Sequence, residues 1–272
     1  MCQANKAICP TEMFVAGLVF TYSIDIRTVF RIIYVFVIQI GMKMIAEKNQ
    51  VIMVYPKQGL SGTMIRHVPL SLLYASIELV KAGYEVHLVD ARVSQDWKKE
   101  IANLLCDNTL CVGISVMSGN PIISAKEIGA YCKSINTNVP VVWGGPHATF
   151  NPGSILEGDP NADYVVSGYA IESFFKFCEA ISVDEKPFLA TGVSWREGDA
   201  INLNPAVDKS FEYVDWRDIP YHLIEDYSVY GQLDQGNKIF SMYSAVGCPY
   251  QCAFCSSPAQ YSQIEGKKWV PL

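Results

Sequence analysis

From Val51 onward, short apolar runs alternate with amphipathic stretches along the chain. Uninterrupted apolar runs are typical of strands that are buried on both faces, whereas a 3.6-residue period is typical of helices that cover such strands. We predict strands at 51–55, 85–89, 111–116, 139–143 and 164–167. We predict helices at 71–82, 94–105, 121–135 and 171–181. Strands and helices that alternate in this way indicate a parallel sheet with helices on both faces.

Local signals support these helix bounds. Gly83 follows the first predicted helix and is expected to end it, since glycine readily adopts the conformation of a helix C-terminus. Ser94 precedes the second helix and is expected to be its N-cap. Five strands and their helices predict an α/β fold: a doubly wound, flavodoxin-like (Rossmann-like) domain with strand order 2-1-3-4-5.

Two loops and a glycine pair mark a candidate ligand site. A doubly wound sheet binds ligands beyond the carboxyl ends of its strands, where the first and third strands lie side by side. The loop 56–69 carries Gly59 and Gly62, and the loop 115–120 follows the third strand. Gly144 and Gly145 end the fourth strand. They either let a ligand approach the backbone or simply form a tight turn, and the sequence supports both interpretations equally.

The rest of the chain has a less regular pattern. Segments 191–195 and 200–203 predict a β-hairpin, and 204–236 predicts an ordered linker rich in Pro, Asp and Tyr. A last strand at 238–245 is expected to lead into a cysteine-rich loop.

Composition excludes several classes of partner. The net charge is −6 and the pI is about 5.3, so nucleic acid and anionic membranes are not expected as partners. The chain has nine cysteines, of which six are scattered without a regular spacing. This distribution favours a reduced, cytoplasmic protein in which those six are small buried side chains.

The first forty residues fit no targeting segment. Apolar stretches at 13–20 and 32–42 are separated by Asp25, Arg27 and Arg31, so neither stretch is expected to cross a membrane. Two interpretations remain. The segment is an extra helix on the domain, or translation begins at Met42 or Met44; we favour the second.

The most specific feature of the sequence is the cysteine-rich loop at 247–255. Cys248, Cys252 and Cys255 have the spacing C-x3-C-x2-C, and three thiolates on one short loop suit an iron–sulfur cluster or zinc. Structural zinc needs four protein ligands, and no Cys or His follows Cys255. His222 is a conceivable fourth ligand, but it lies in the predicted linker. Three protein ligands would leave one iron of a four-iron cluster with an open coordination site.

With an aromatic residue, Phe254, before its last cysteine, this loop resembles the motif of the radical S-adenosylmethionine (SAM) superfamily. The resemblance implies that the three cysteines hold a [4Fe-4S] cluster, that SAM binds the open iron, and that Phe254 contacts this cofactor. Reductive cleavage of SAM then gives a 5′-deoxyadenosyl radical. The resemblance also implies a small-molecule or natural-product substrate and an electron donor such as flavodoxin or ferredoxin.

The upstream segment resembles cobalamin-binding domains that are fused to radical SAM enzymes. Ser115 and Met117, followed at a distance by Gly144 and Gly145, are similar to the S-x-L and G-G parts of the cobalamin motif. The resemblance implies that these four residues, with Gly59 and Gly62, contact cobalamin, and that Ser115 and the glycine pair lie along its nucleotide tail.

The histidine of the cobalamin motif is missing. The loop after the first strand lacks D-x-H-x-x-G, so we expect cobalamin without a histidine ligand to cobalt. His67 is too far along this loop and is interpreted as a surface or capping residue. His147 is expected to make a loop hydrogen bond rather than a cofactor contact.

These patterns predict four parts: an apolar extension at 1–47, a cobalamin-binding domain at 48–184, a hairpin and linker at 185–237, and the start of a radical SAM partial barrel at 238–272. Only 256–272 follow the cysteines, too little for such a barrel, so we expect a fragment or a broken gene that is inactive by itself. The main alternative is a stand-alone corrinoid-binding or signalling module with a structural zinc loop. A flavin-binding domain fits less well because no Ser/Thr-rich phosphate loop follows the first strand.

Overall fold

A seven-stranded sheet organises the part of the protein that the structure, a computed structural model, describes. The described residues are 49–59, 67–183, 185, 190–204, 214–230, 241–250, 252–256 and 269–271. They all belong to one compact unit, 47–272. The predictions for 1–47 concern residues outside this described part.

Five parallel strands form the main part of the sheet. They are β1 (Gln50–Tyr55), β2 (Glu85–Asp90), β3 (Thr109–Ser115), β4 (Val141–Gly144) and β5 (Tyr164–Val166). Their order in the sheet is β2-β1-β3-β4-β5, which confirms the predicted doubly wound topology. Each predicted strand bound lies within two residues of the observed one, because uninterrupted apolar runs identify strands that are covered on both faces.

Helices cover both faces of this sheet. They are α1 (Leu70–Ala75), α2 (Ile77–Lys81), α3 (Trp97–Leu104), α4 (Pro121–Ile135), α5 (Pro146–Phe150), α6 (Pro152–Gly158) and α7 (Ala170–Ser182). Residues of β1 alternate between the two cores. Ile52 and Val54 pack with α3 to α6, whereas Val51 and Met53 pack with α1, α2 and α7.

The first predicted helix, 71–82, is broken at Ser76. The Ser76 hydroxyl donates a hydrogen bond to the Leu72 carbonyl at 2.7 Å, and its backbone N–H is shared between the Leu72 and Leu73 carbonyls. Such bonds from a serine to the preceding turn bend helices. The end of the helix agrees with the prediction, because Gly83 has φ of 85° and donates to the Val80 carbonyl.

The predicted cap of the second helix was wrong. Helix α3 begins at Trp97, and the Asp96 side chain accepts a hydrogen bond from the Lys99 backbone N–H at 3.1 Å. The Ser94 hydroxyl instead donates to the Glu100 carboxylate at 2.7 Å. Both residues suit an N-cap, and only the geometry shows that the carboxylate reaches the exposed N–H group.

Replacing Asp96 with alanine should therefore lower the free energy of unfolding by about 1 kcal/mol, the usual contribution of an N-cap. Urea denaturation followed by circular dichroism measures this change. Ser94→Ala is the matched control and should cost less, because the Ser94 hydroxyl bonds a solvent-exposed carboxylate. Equal losses in the two variants would contradict the assignment of Asp96 as the cap.

A hairpin extends the sheet beyond its parallel part. β6 (Val193–Glu197) pairs antiparallel with β5, and β7 (Ala200–Asn202) pairs antiparallel with β6. The hairpin prediction is confirmed, and it continues the domain sheet rather than forming a separate unit.

The last strand begins later than predicted. β8 (Ala245–Gly247) pairs antiparallel with β9 (Trp269–Pro271), and residues 241–244 are outside any strand. The Ser241 carbonyl accepts a hydrogen bond from the Tyr221 hydroxyl at 3.1 Å, which keeps this backbone group out of a strand ladder. Residues 238–240 of the predicted strand lie outside the described residues.

The described linker residues, 214–230, pack against the sheet domain. They form three short 3-10 turns, Trp216–Asp218, Tyr221–Leu223 and Tyr227–Val229. Ile219 and Ile224 are buried against Leu73 and Ile77 of the first two helices. No helix in the described ranges combines the length and the apolar character needed to cross a membrane.

Candidate functional site

A cavity of about 400 Å³ opens at the carboxyl end of the sheet and is called the sheet-end cavity here. The sheet contributes Met53, Gly113, Val142 and Val166, and helices α1 and α7 contribute further apolar side chains. Parallel strands all end at this edge, and the cavity lies where β1 and β3 are neighbours. It therefore lies at the switch point that the strand order predicts.

The structure brings four of the predicted cofactor residues together. Ser115, Met117, Gly144 and Gly145 all line the sheet-end cavity. Gly59 does not line it: a Cβ on Gly59 would meet the Asn120 side chain at 3.4 Å. Gly62 lies outside the described residues. Two segments that are distant in sequence thus meet at the cavity, and the described residues of the first loop do not line it.

The two glycines of the pair have different roles. Gly145 has φ of 87° and ψ of −173°, a region that only glycine commonly adopts. A Cβ there would approach the Val116 nitrogen to 2.9 Å and the Val116 oxygen to 3.0 Å. A Cβ on Gly144 would meet nothing nearer than the Val166 oxygen at 3.9 Å. Gly145 is thus needed for the tight turn, and Gly144 leaves space in the cavity.

A second serine, which the sequence analysis missed, faces Ser115. The Oγ atoms of Ser71 and Ser115 are 3.0 Å apart, and both residues line the sheet-end cavity. Ser71 lies in α1, directly after a long loop at the same edge of the sheet. Its position in the first turn after this loop is a signal that could have identified it.

His147 makes the loop hydrogen bond that the sequence predicts, and His67 lies on the surface. The Ser118 hydroxyl and the His147 Nδ1 atom are 3.0 Å apart, and the His147 backbone N–H donates to the Val116 carbonyl. Burial lowers the pKa of His147, which favours the neutral form of its ring. His67 is exposed, with its Nδ1 atom 3.4 Å from the Ser241 hydroxyl, and His222 is also exposed. None of the three lines the cavity.

A largely buried ion pair lies at the ends of β1 and β2. Arg92 donates from Nε and Nη2 to the two oxygens of Asp90, at 2.9 Å and 2.6 Å, and from Nη2 to the His67 carbonyl at 2.8 Å. The Arg92 guanidinium lies 4.0 Å from the centre of the Tyr55 ring. Burial by itself lowers the pKa of Arg92. The hydrogen bonds and the negative charge of Asp90 together raise this pKa by more than burial lowers it, so the net shift is upward.

The same ion pair reaches the linker. The Tyr230 hydroxyl donates to the Asp90 carboxylate at 3.1 Å, and burial together with this negative charge raises the pKa of Tyr230. The structure thus connects the end of β2 to the linker through Asp90.

The segment that precedes the cysteines forms another wall of the cavity. Tyr243 and Ala245 line it, and so does Ser256, which directly follows the last cysteine. The Tyr243 ring packs against the Tyr74 ring of α1 with 5.1 Å between their centres. The segment just before the cysteines is therefore in contact with α1.

The three cysteines of the motif lie on an open loop. Cys248 is partly buried, whereas Cys252 and Cys255 are exposed. Phe254 is 94% exposed and does not line the cavity. Among the described residues, no three Cys, His, Asp or Glu side chains are close enough together to form a metal site. The donors are of the right kind for a cluster, but their thiols are not gathered around one point.

The other described cysteines are mostly structural. Cys111, Cys132 and Cys178 are buried, as predicted, and burial raises the pKa of Cys132 to about 12. Cys106 is exposed, which corrects the prediction for this residue, because it lies in the turn between α3 and β3. Cys2 and Cys9 lie outside the described residues.

A comparison of the sequence with known protein families shows which family the segment around the cavity resembles. Residues 65–175 match the B12 binding domain family. This segment is similar to B12-binding domains. It contains Ser71, Ser115, Gly144 and Gly145, which line the sheet-end cavity, and the match confirms the predicted resemblance.

Curated relatives extend the similarity beyond residues 65–175. The chain is 28% identical over 202 residues to an uncharacterized methyltransferase from Pyrococcus horikoshii, covering 74% of this chain and 42% of the relative. It is 31% identical over 132 residues to the cobalamin-dependent radical SAM methyltransferase TokK from Streptomyces tokunonensis, covering 47% of this chain and 19% of TokK. The chain thus spans less than half the length of either relative.

A solved structure has the same fold. The radical SAM methyltransferase TsrM from Kitasatospora setae, solved with cobalamin and a [4Fe-4S] cluster, superposes with a TM-score of 0.58 at 18% identity. The superposition covers 81% of this chain and 43% of TsrM. Another TsrM structure holds its tryptophan substrate and a SAM analog. At 18% sequence identity, this similarity shows a shared fold and nothing more.

Proposed function

We propose that this chain binds cobalamin in the sheet-end cavity and holds a [4Fe-4S] cluster through Cys248, Cys252 and Cys255. It would do so as part of a cobalamin-dependent radical SAM enzyme that catalyses methyl transfer or a radical rearrangement. One observation carries this proposal: the residues on either side of the cysteine loop, Ala245 and Ser256, also line the cavity of the B12-binding domain.

The cavity fits part of a corrinoid. Its volume is at the lower end of the range for small-molecule sites, and a whole corrinoid is much larger than a typical small-molecule ligand. The cavity therefore suits the nucleotide tail, while the macrocycle would remain at its mouth, near Met117. Gly144 supports this arrangement because its missing side chain leaves room for the tail.

The cysteine loop supplies three soft donors, which suit an iron–sulfur cluster. Exposure of Cys252 and Cys255 leaves these thiols accessible to iron, and we propose that the exposed ring of Phe254 contacts SAM. When bound, the cluster and SAM supply a carbon-centred radical, and cobalamin supplies a transferable methyl group. A small-molecule substrate and a flavodoxin or ferredoxin electron donor complete the proposal.

Metal analysis tests the proposal. Protein produced without oxygen in medium with cobalamin should contain cobalt and about four irons per chain, the content of one four-iron cluster. Replacing Cys248, Cys252 and Cys255 together by serine should remove the iron and leave the cobalt, since the cobalamin site has other residues. Mass spectrometry of the metals measures both.

Cys106→Ser is the matched control, because Cys106 is an exposed thiol outside the motif and should keep both metals. Zinc in place of iron, with cobalt retained, would contradict the cluster and favour a corrinoid-binding module with a structural zinc loop. Absence of cobalt from every variant would contradict the cobalamin site itself.

A further inference from the structure

Ser241 lies at the start of the described segment 241–250 and is held from two sides. Its carbonyl accepts a hydrogen bond from the Tyr221 hydroxyl at 3.1 Å, and its own hydroxyl lies 3.4 Å from the His67 Nδ1 atom. Burial raises the pKa of Tyr221, which favours the protonated hydroxyl that this donation needs. Ser241 thus connects the linker and the loop before α1 to the segment that contains Cys248.

The linker turn that carries Tyr221 is itself fixed to the sheet domain. Ile219 and Ile224, on either side of Tyr221, are 5% and 7% exposed and pack in an apolar cluster with α1 and α2. Asp218 also pairs with Lys81 of α2 at 2.9 Å. Tyr221 therefore projects from a backbone that cannot shift without exposing apolar surface to water.

The segment beyond Ser241 reaches both parts of the candidate site. Tyr243 and Ala245 line the sheet-end cavity, and Cys248 directly follows β8. The backbone between Ser241 and β8 is outside any strand. Tyr243 is 44% exposed, so its ring contact with Tyr74 restrains it only in part. The hydrogen bond at Ser241 therefore limits how far the cysteine loop can move relative to the cavity.

We infer that Tyr221 is a positioning residue: by holding Ser241, its hydroxyl sets the distance between the cysteine loop and the sheet-end cavity. Tyr221 does not line the cavity and acts through Ser241. The inference rests on the proposed function, in which the cluster and cobalamin occupy these two places. Two cofactors that act on one substrate must both lie within reach of it, so a fixed separation favours the reaction.

Hydrogen exchange of the full chain without cofactors gives the first test. Tyr221→Phe removes only the hydroxyl, and peptides from 241–250 should then exchange about fivefold faster, the effect of one neutral hydrogen bond. Peptides from β1 and β3 should exchange at unchanged rates, which shows that the sheet remains folded. Tyr84→Phe is the matched control and should leave exchange at 241–250 unchanged, because the Tyr84 hydroxyl donates to Ser182 within the sheet domain at 3.5 Å.

A spectroscopic measurement separates positioning from local stability. In protein loaded with iron and cobalamin and then reduced, the paramagnetic cobalt and the paramagnetic cluster interact through space with a strength that falls with the cube of their distance. Tyr221→Phe should weaken and broaden this interaction in the electron paramagnetic resonance spectrum, at unchanged iron and cobalt content. Tyr84→Phe should give the spectrum of the unaltered protein.

Three results would overturn the inference. The first is unchanged exchange at 241–250 in Tyr221→Phe, and the second is faster exchange with an unchanged magnetic interaction. The third is loss of iron or cobalt from Tyr221→Phe, because the residue would then hold a cofactor site together rather than set a distance. An unaltered chain that binds neither metal would instead contradict the proposed function, and the inference with it.

Discussion

Replacing Arg92 with alanine should lower the free energy of unfolding by about 3–5 kcal/mol, the typical cost of leaving one partner of a buried ion pair alone. The Asp90 side chain is 4% exposed and the Arg92 side chain 11% exposed, so water cannot replace the lost guanidinium. The Tyr230 hydroxyl would remain as a neutral donor to Asp90. Urea denaturation followed by tryptophan fluorescence measures the loss.

The chain contains its own control for this prediction. Asp215 and Arg217 form the same Asp-x-Arg arrangement, with the arginine 72% exposed on the linker. Arg217→Ala should change stability little, since exposed ion pairs contribute little. Arg92→Lys keeps the charge without the paired N–H groups and should have an intermediate effect. A loss for Arg92→Ala no larger than that for Arg217→Ala would show that burial does not set the cost.

Gly145→Ala should lower the free energy of unfolding by about 3 kcal/mol, because backbone strain and steric overlap each contribute on the order of 1–3 kcal/mol. The added Cβ would press on the Val116 backbone, which is held by two hydrogen bonds: its N–H donates to Gly144 and its carbonyl accepts from His147. Thermal unfolding followed by circular dichroism measures the loss of stability.

The neighbouring residue provides the contrast. The free energy of unfolding of Gly144→Ala should lie within about 1 kcal/mol of that of the unaltered protein, because the added Cβ would make only ordinary contacts. It should nevertheless weaken cobalamin binding, because the methyl group would occupy the sheet-end cavity. Similar stability losses at the two positions would contradict the division of roles within the glycine pair.

The main sheet could be predicted because its strands are buried on both faces. Val51, Ile52, Met53 and Val54 are all buried, so a simple apolar run identified β1 and its neighbours. The break at Ser76 was not predictable in the same way. A buried serine fits a continuous helix equally well until its hydroxyl is seen to bond the preceding turn.

The candidate site was predicted in part for a related reason. Ser115, Met117 and the two glycines follow strand ends, and all strand ends meet at one edge. Ser71 was missed although its place directly after a loop at this edge was a usable signal. Tyr243 was missed because its position depends on how the segment before the cysteines packs on α1, which no local pattern records. The sequence also could not separate the roles of Gly144 and Gly145, since only the backbone angles distinguish them.

The walls of the sheet-end cavity come from opposite ends of the described chain, and this affects when the cavity can be completed during synthesis. Met53 lies in the first strand, whereas Ser256 follows the last cysteine. A ribosome that has released residues 65–175 has not yet released the residues of the final wall. The sheet can therefore fold before the cysteine-bearing segment completes its cavity.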